Sequence, residues 1–91
     1  MMYTEKFANH RYAQCYMIHY PDGATALISY ATCVAEITAD GWLRVHGLYS
    51  MTTRRHLGWF GKVIGVGYGT MRDLAGTGYE MDVTTGEVRP W

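Results

Sequence analysis

Four cationic and aromatic residues on one short segment, Arg54, Arg55, Trp59 and Lys62, are the side chains best suited to chemistry in this chain. Arginine and lysine bind phosphates or carboxylates. Tryptophan stacks on a nucleobase or anchors a protein interface. Because Arg55, Trp59 and Lys62 recur at spacings of four and three, they lie along one face of a helix. Three interpretations of this pattern stay open: an intrahelical cation–π pair on a solvated face, a protein-binding surface, and a nucleic-acid-binding surface.

Catalysis is not indicated by any other pattern in the chain. A triad assembled from Ser50 or Cys33 with His46 and Asp40 is conceivable, but no nucleophile motif supports it. The glycine-rich residues 65–69 follow a predicted helix and lack a following Gly-Lys-Ser/Thr, so they do not predict a phosphate loop. The histidines and cysteines show no metal-ligand spacing. We therefore predict a protein that is not an enzyme and that has no catalytic residues, cofactor or metal.

The cysteines, Cys15 and Cys33, each lie within an apolar, strand-like run. Unpaired cysteine is among the most buried residue types, so we expect two buried thiols. A disulfide stays geometrically possible if their strands pair.

The elements that position these residues are those of a small α+β domain, and 91 residues predict a single domain over 1–91. Turns at Pro21-Asp22-Gly23 and Asp40-Gly41 separate strand-like residues 11–20, 24–38 and 42–49, which predicts a three-stranded antiparallel meander. We expect 24–38 to form one long strand or two collinear ones, and a short helical turn over 4–9. A C-terminal strand or hairpin over 79–91 completes the sheet, which packs against one main helix over 52–64, capped by Ser50 or Thr52.

The charge balance is neutral, with eight basic and eight acidic residues, which argues against a dedicated nucleic-acid binder. No acidic residue lies between Asp40 and Asp73, however, so a one-sided basic patch is predicted. Trp42 and Arg44 lie in this window, and we expect the exposed one of them to extend the contact surface. Aromatic residues make up 14% of the chain, more than so small a core buries, so a homodimer through a strand edge is also possible.

Two blocks of sequence carry a resemblance to a known group of proteins. Residues 29–35 (Ser-Tyr-Ala-Thr-Cys-Val-Ala) are similar to a recurring SY-x-T-x-VA strand, and residues 49–56, followed by Phe60, are similar to YS-x-TT-x-x-H. With these blocks the chain resembles a family of small phage and mobile-element proteins over residues 27–60. The resemblance implies helix-capping roles for Ser50, Thr52 and Thr53, and a hydrogen bond from His56 to the cap or the sheet.

The same resemblance implies a phage or mobile-element accessory protein, a class that commonly binds and blocks a host protein. We therefore expect a stoichiometric inhibitor of a bacterial defence protein, such as a CRISPR effector in an anti-CRISPR-type interaction. The alternative is a nucleic-acid-binding module that uses helix 52–64. Residues 1–6 lack the apolar segment of a secretion signal, and no apolar run approaches the ~20 residues of a membrane span, so we expect the host cytoplasm and no membrane partner.

Overall fold

A computed structural model of the chain describes residues 3–6 and 15–91, and in them a seven-stranded antiparallel sheet carries two helices. The strands lie in the sheet in the order of the chain, each paired with its sequence neighbours. The elements are β1 Tyr3–Lys6, β2 Cys15–His19, β3 Thr25–Ser29, β4 Thr32–Ile37, β5 Trp42–Val45, α1 Met51–Ile64, α2 Tyr68–Leu74, β6 Tyr79–Asp82 and β7 Val88–Pro90. The predicted α+β class is confirmed, with an antiparallel meander, one main helix and a C-terminal hairpin.

The prediction of one long strand or two collinear strands over 24–38 is wrong, because the chain reverses at Tyr30. Ser29 pairs with Thr32 across a two-residue turn, so β3 and β4 form a hairpin. Tyr30 has a φ of 57°, a left-handed conformation that favours glycine and asparagine. A tyrosine gives no sequence signal for such a turn, which explains the error.

Other element boundaries differ less. The last predicted meander strand, 42–49, ends at Val45 in the structure. The helical turn predicted over 4–9 is wrong for residues 4–6, which belong to β1, and residues 7–9 lie outside the described residues. Within the predicted strand 11–20, β2 occupies Cys15–His19, and residues 11–14 lie outside the described part of the chain. The turns after β2 and β4 form as predicted, with positive φ at Gly23 and Gly41.

The core lies between one face of the sheet and the two helices. A β-bulge shifts the pairing of β3 with β4, so that Val34 and Ala35 are consecutive and yet both fully buried. Burying each large apolar side chain contributes about 1.5–3 kcal/mol. The core residues are Cys15, Met17, Leu27, Val34, Ala35, Leu43, Val45, Leu57, Phe60, Val66, Met71 and Leu74. Among the described residues, neither helix has the length and apolar composition needed to span a membrane.

Candidate functional site

Helix α1 positions most of the predicted contact residues, and local sequence fixes both of its ends. Ser50 is the N-cap, and its hydroxyl accepts a hydrogen bond from the Thr53 backbone N–H at 3.2 Å. Gly65 ends the helix in the left-handed conformation, and its N–H donates to the Gly61 carbonyl. Leu57 and Phe60 are fully buried against the sheet. The opposite side of α1 is thereby directed to solvent.

The solvent-directed side of α1, which we call the outer face, carries Met51, Arg54, Arg55, Trp59, Lys62 and Val63. Arg54, Arg55 and Lys62 are exposed, and within residues 15–91 none of them forms an ion pair with an acidic side chain. Met51 and Val63 are 68% and 57% exposed. The outer face therefore combines unneutralised positive charge with exposed apolar surface.

A groove of about 400 Å³ lies between the outer face and the glycine-rich segment. Helix α1 contributes Arg55, Trp59 and Lys62 to its lining, and the segment after α1 contributes Gly65, Gly67 and Tyr68. The segment approaches α1 closely, since a Cβ added to Gly61 would lie 2.3 Å from the Val66 carbonyl oxygen. Three of the four α1 residues predicted from the sequence thus line one cavity, which we call the α1 groove. Arg54 lies on the same helix outside it.

Trp42 and Arg44 lie elsewhere, on the face of the sheet opposite the helices, because they alternate with the core residues Leu43 and Val45. Arg44 Nε donates to Glu80 Oε1 at 2.7 Å. Trp42 is buried beneath Arg89, whose Cζ lies 3.6 Å from the ring centroid. The structure therefore does not bring these two residues together with the α1 residues.

An ion-pair network neutralises this opposite face. Arg44 and Arg89 bind the two carboxylate oxygens of Glu80, which is only 2% exposed. Burial on its own raises the pKa of the Glu80 carboxyl, but hydrogen bonds from Arg44 and Arg89 outweigh burial and hold the pKa below its usual value. Glu36 adds contacts to Arg44 at 3.9 Å and to His46 at 3.2 Å. The cations here are already partnered within the fold.

The cation–π contacts of the described residues also belong to this network. They join Arg44 to Trp91, with Cζ 4.5 Å from the ring centroid, and Arg89 to Trp42. The intrahelical pair between Arg55 and Trp59 that the sequence spacing allows is not among them. Trp59 instead lies beside His56, with ring centroids 5.7 Å apart. Within residues 15–91, therefore, no aromatic ring pairs with Arg55.

A buried polar network connects α1 to β3, and it contains the hydrogen bond between His56 and the sheet that the resemblance implied. Ser29 Oγ lies 2.6 Å from Nδ1 of the fully buried His56 and 3.2 Å from Thr53 Oγ1. The Ser50 hydroxyl donates to the same Thr53 oxygen at 3.2 Å. The two sequence blocks, around Ser29 and from Ser50 to His56, therefore meet in space. Because Ser29 and His56 are both buried, their hydrogen bond joins helix to sheet within the core.

Two exposed tyrosines flank this network in a conformation unusual for their type. Tyr30 follows Ser29 with a φ of 57°, and Tyr49 precedes Ser50 with a φ of 50°. A side chain larger than glycine in this region stores about 1–2 kcal/mol of strain. Tyr30 is 51% exposed and Tyr49 65%. The residue types alone gave no signal for this strained pair.

In the described part of the chain, the residues considered for a catalytic triad each contact a different partner. His46 contacts Glu36, and the Asp40 carboxylate accepts a hydrogen bond from the Thr38 hydroxyl at 2.5 Å. Cys15 and Cys33 are free thiols, the first in the core and the second half-buried. In the part of the chain that the structure describes, no three histidine, cysteine or carboxylate side chains lie close enough together to hold a metal ion.

Comparison with known proteins identifies a family. The sequence model described as "Family of unknown function (DUF8033)" matches residues 2–75, and the chain therefore belongs to that family. The match includes residues 27–60 and also the glycine-rich segment, which the resemblance noted above left out. No curated protein matches the chain. No solved structure matches it either.

Proposed function

We propose that this member of the DUF8033 family acts by stoichiometric binding, with the outer face of α1 as its contact surface for an acidic protein partner. One observation carries the proposal. The cations of the outer face, Arg54, Arg55 and Lys62, have no acidic partner within residues 15–91, whereas Arg44 and Arg89 are bound to Glu80. A fold that neutralises one set of cations internally leaves the other set for an external anion.

The composition of the outer face favours a protein over a nucleic acid. Arginine, methionine and tryptophan are enriched in protein interfaces, and Met51, Arg55 and Trp59 are of these types. Exposed Met51 and Val63 supply apolar area that a phosphate backbone would not use. Three cations would release few counterions from duplex DNA. At about 0.9 per phosphate contact, the logarithm of the binding constant would fall with the logarithm of salt concentration with a slope of only about −2.7.

The resemblance over residues 27–60 supports a setting for this binding. We propose that the chain is an accessory protein of a phage or mobile element and that its partner is a bacterial defence protein, such as a CRISPR effector, in the host cytoplasm. Neutral composition and the lack of a catalytic motif fit an inhibitor that works by occupying a surface.

The test is affinity capture from bacterial lysate with and without nuclease, followed by quantification of each captured protein. Arg55→Glu reverses one charge on the outer face, and Arg72→Glu is the matched control, because Arg72 is exposed on α2 and contacts only Asp73 among acidic side chains of residues 15–91. We expect a nuclease-resistant partner that wild type and Arg72→Glu retain and Arg55→Glu loses. Equal capture by all three proteins would refute the surface assignment. Recovery of nucleic acid alone, lost on nuclease treatment, would support the nucleic-acid-binding alternative instead.

A further inference from the structure

We infer that the α1 groove binds an extended acidic segment of a protein partner, with two carboxylates three residues apart and an apolar side chain between them. The inference rests on the proposed function, since the groove lies along the outer face of α1. It adds the chemistry and the spacing of the partner's segment, neither of which follows from a basic helix alone.

The spacing comes from the two cations that line the groove. Arg55 and Lys62 are seven residues apart on α1, and at 1.5 Å of rise per residue they lie about 10.5 Å apart along the helix. An extended peptide in the polyproline II conformation advances about 3.1 Å per residue with three residues per turn, so its first and fourth side chains share one face about 9.3 Å apart. A segment with acidic residues at its first and fourth positions therefore presents one carboxylate to each cation.

The lining between the cations is apolar and aromatic. Trp59 lies four residues after Arg55 and three before Lys62, and Val66 and Tyr68 face it across the groove. A volume of about 400 Å³ is near the lower end of ligand-binding cavities, which run ~300–1,000 Å³. The groove thus has room for one or two side chains of a short segment, and an apolar side chain matches its middle.

Two of the four residues that form the other wall of the groove are glycines. Gly65 and Gly67 line it, and a Cβ built on either residue meets no atom within 4 Å. A peptide backbone can therefore approach the wall closely. Gly67 also has an ordinary φ of −67°, so a larger residue fits its backbone and adds bulk at the lining of the groove. This position offers a way to block the groove without disturbing the fold.

Fluorescence anisotropy of labelled synthetic peptides with the full chain tests the inference. The probe has an Asp-Leu-Ala-Asp core between glycine and serine flanks, and the comparison peptides carry asparagine for both aspartates or place the aspartates side by side. We expect the probe to bind saturably and each comparison peptide about tenfold more weakly, which corresponds to 1.4 kcal/mol. If the probe and the peptide with adjacent aspartates bind with the same affinity, the inference is wrong.

Variants locate the binding site. Gly67→Leu and Lys62→Glu should each lower the affinity for the probe peptide by about tenfold or more. Gly69→Leu and Arg72→Glu are the matched controls, since a Cβ at Gly69 is equally open but neither residue lines the groove. Arg55→Glu combined with Lys62→Glu should instead bind the peptide that carries lysines in place of the aspartates.

Failure of the inference differs from failure of the proposed function. If the probe does not bind, or binds Gly67→Leu as well as wild type, the inference is wrong. The proposed function would still stand if a captured partner depends on Arg55. A single-stranded oligonucleotide that binds more tightly than the probe and is displaced by salt would overturn both.

Discussion

The substitution Gly61→Ala tests the close approach of α1 to the segment that follows it. Alanine favours a helix by about 1 kcal/mol over glycine, so the change would stabilise an isolated α1. In the folded chain its Cβ would lie 2.3 Å from the Val66 carbonyl oxygen, a backbone atom that cannot rotate away. Overpacking of this kind costs about 1–3 kcal/mol. Moving the segment also strains the hydrogen bond from Val66 N–H to the Gly61 carbonyl, 2.9 Å long and worth about 1 kcal/mol.

These contributions sum to a net loss of about 2 kcal/mol in the free energy of unfolding. Gly58→Ala is the matched control, because Gly58 lies three residues earlier in the same helix and its added Cβ meets no atom within 4 Å. The control should gain up to about 1 kcal/mol from helix propensity. The two variants carry the same chemical change and are expected to have opposite signs.

Equilibrium unfolding in urea measures both variants, with the free energy extrapolated to water and the slope compared with that of wild type. We expect the midpoint to fall for Gly61→Ala and to rise for Gly58→Ala, with slopes unchanged. If Gly61→Ala is as stable as wild type, the segment can retreat from α1 at little cost. The tight packing of the Val66 carbonyl against Gly61 would then be wrong.

Three further predictions concern buried polar and thiol groups. Ser29→Ala removes the hydroxyl that contacts His56, and we expect the free energy of unfolding in urea to fall by about 1–3 kcal/mol. A change below about 0.5 kcal/mol would contradict a structural role for this hydrogen bond. Because the pKa of Glu80 is lowered in the fold, its stabilisation is present above the usual pKa of 4.5 and is lost as pH falls through the folded value. Glu80→Gln should therefore reduce stability at pH 7 and flatten the loss of stability below pH ~4.5, and an unchanged acid unfolding curve would refute this. Burial raises the pKa of the Cys15 thiol to about 12, so at pH 8 this thiol should react with a thiol reagent only after denaturation. Rapid labelling of Cys15 in the native protein would contradict its burial.

Local signals in the sequence predicted α1 and its surface well. Ser50 caps the helix as its type indicates. The spacing of Arg55, Trp59 and Lys62 predicted that they share one face of the helix, and in the structure they line one cavity. Such predictions succeed because helix periodicity and capping depend on residues only a few positions apart.

The rest of the site depends on residues far apart in the chain. Ser29 and His56 are separated by 27 positions, so no local pattern indicates their contact. Trp42 and Arg44 were expected to extend the contact surface, but no local pattern indicates that Glu80, 36 positions later, neutralises Arg44. The hairpin at Tyr30 was missed because the backbone there adopts a conformation that its residue type opposes.

The order of the strands in the sheet has a consequence for how the chain folds. From β2 to β5 each strand pairs with the next across a short turn, so these pairings need little loop-closure entropy and can form early. The pairing of β5 with β6 is different, because both helices lie between these strands in the chain. Because closing this longer connection costs more entropy, we expect the C-terminal hairpin to join the sheet after β2 to β5 have paired, and its amides to exchange with solvent deuterium before those of β3 and β4. The Arg44–Glu80 hydrogen bond joins β5 to β6, so we expect it to form late in folding.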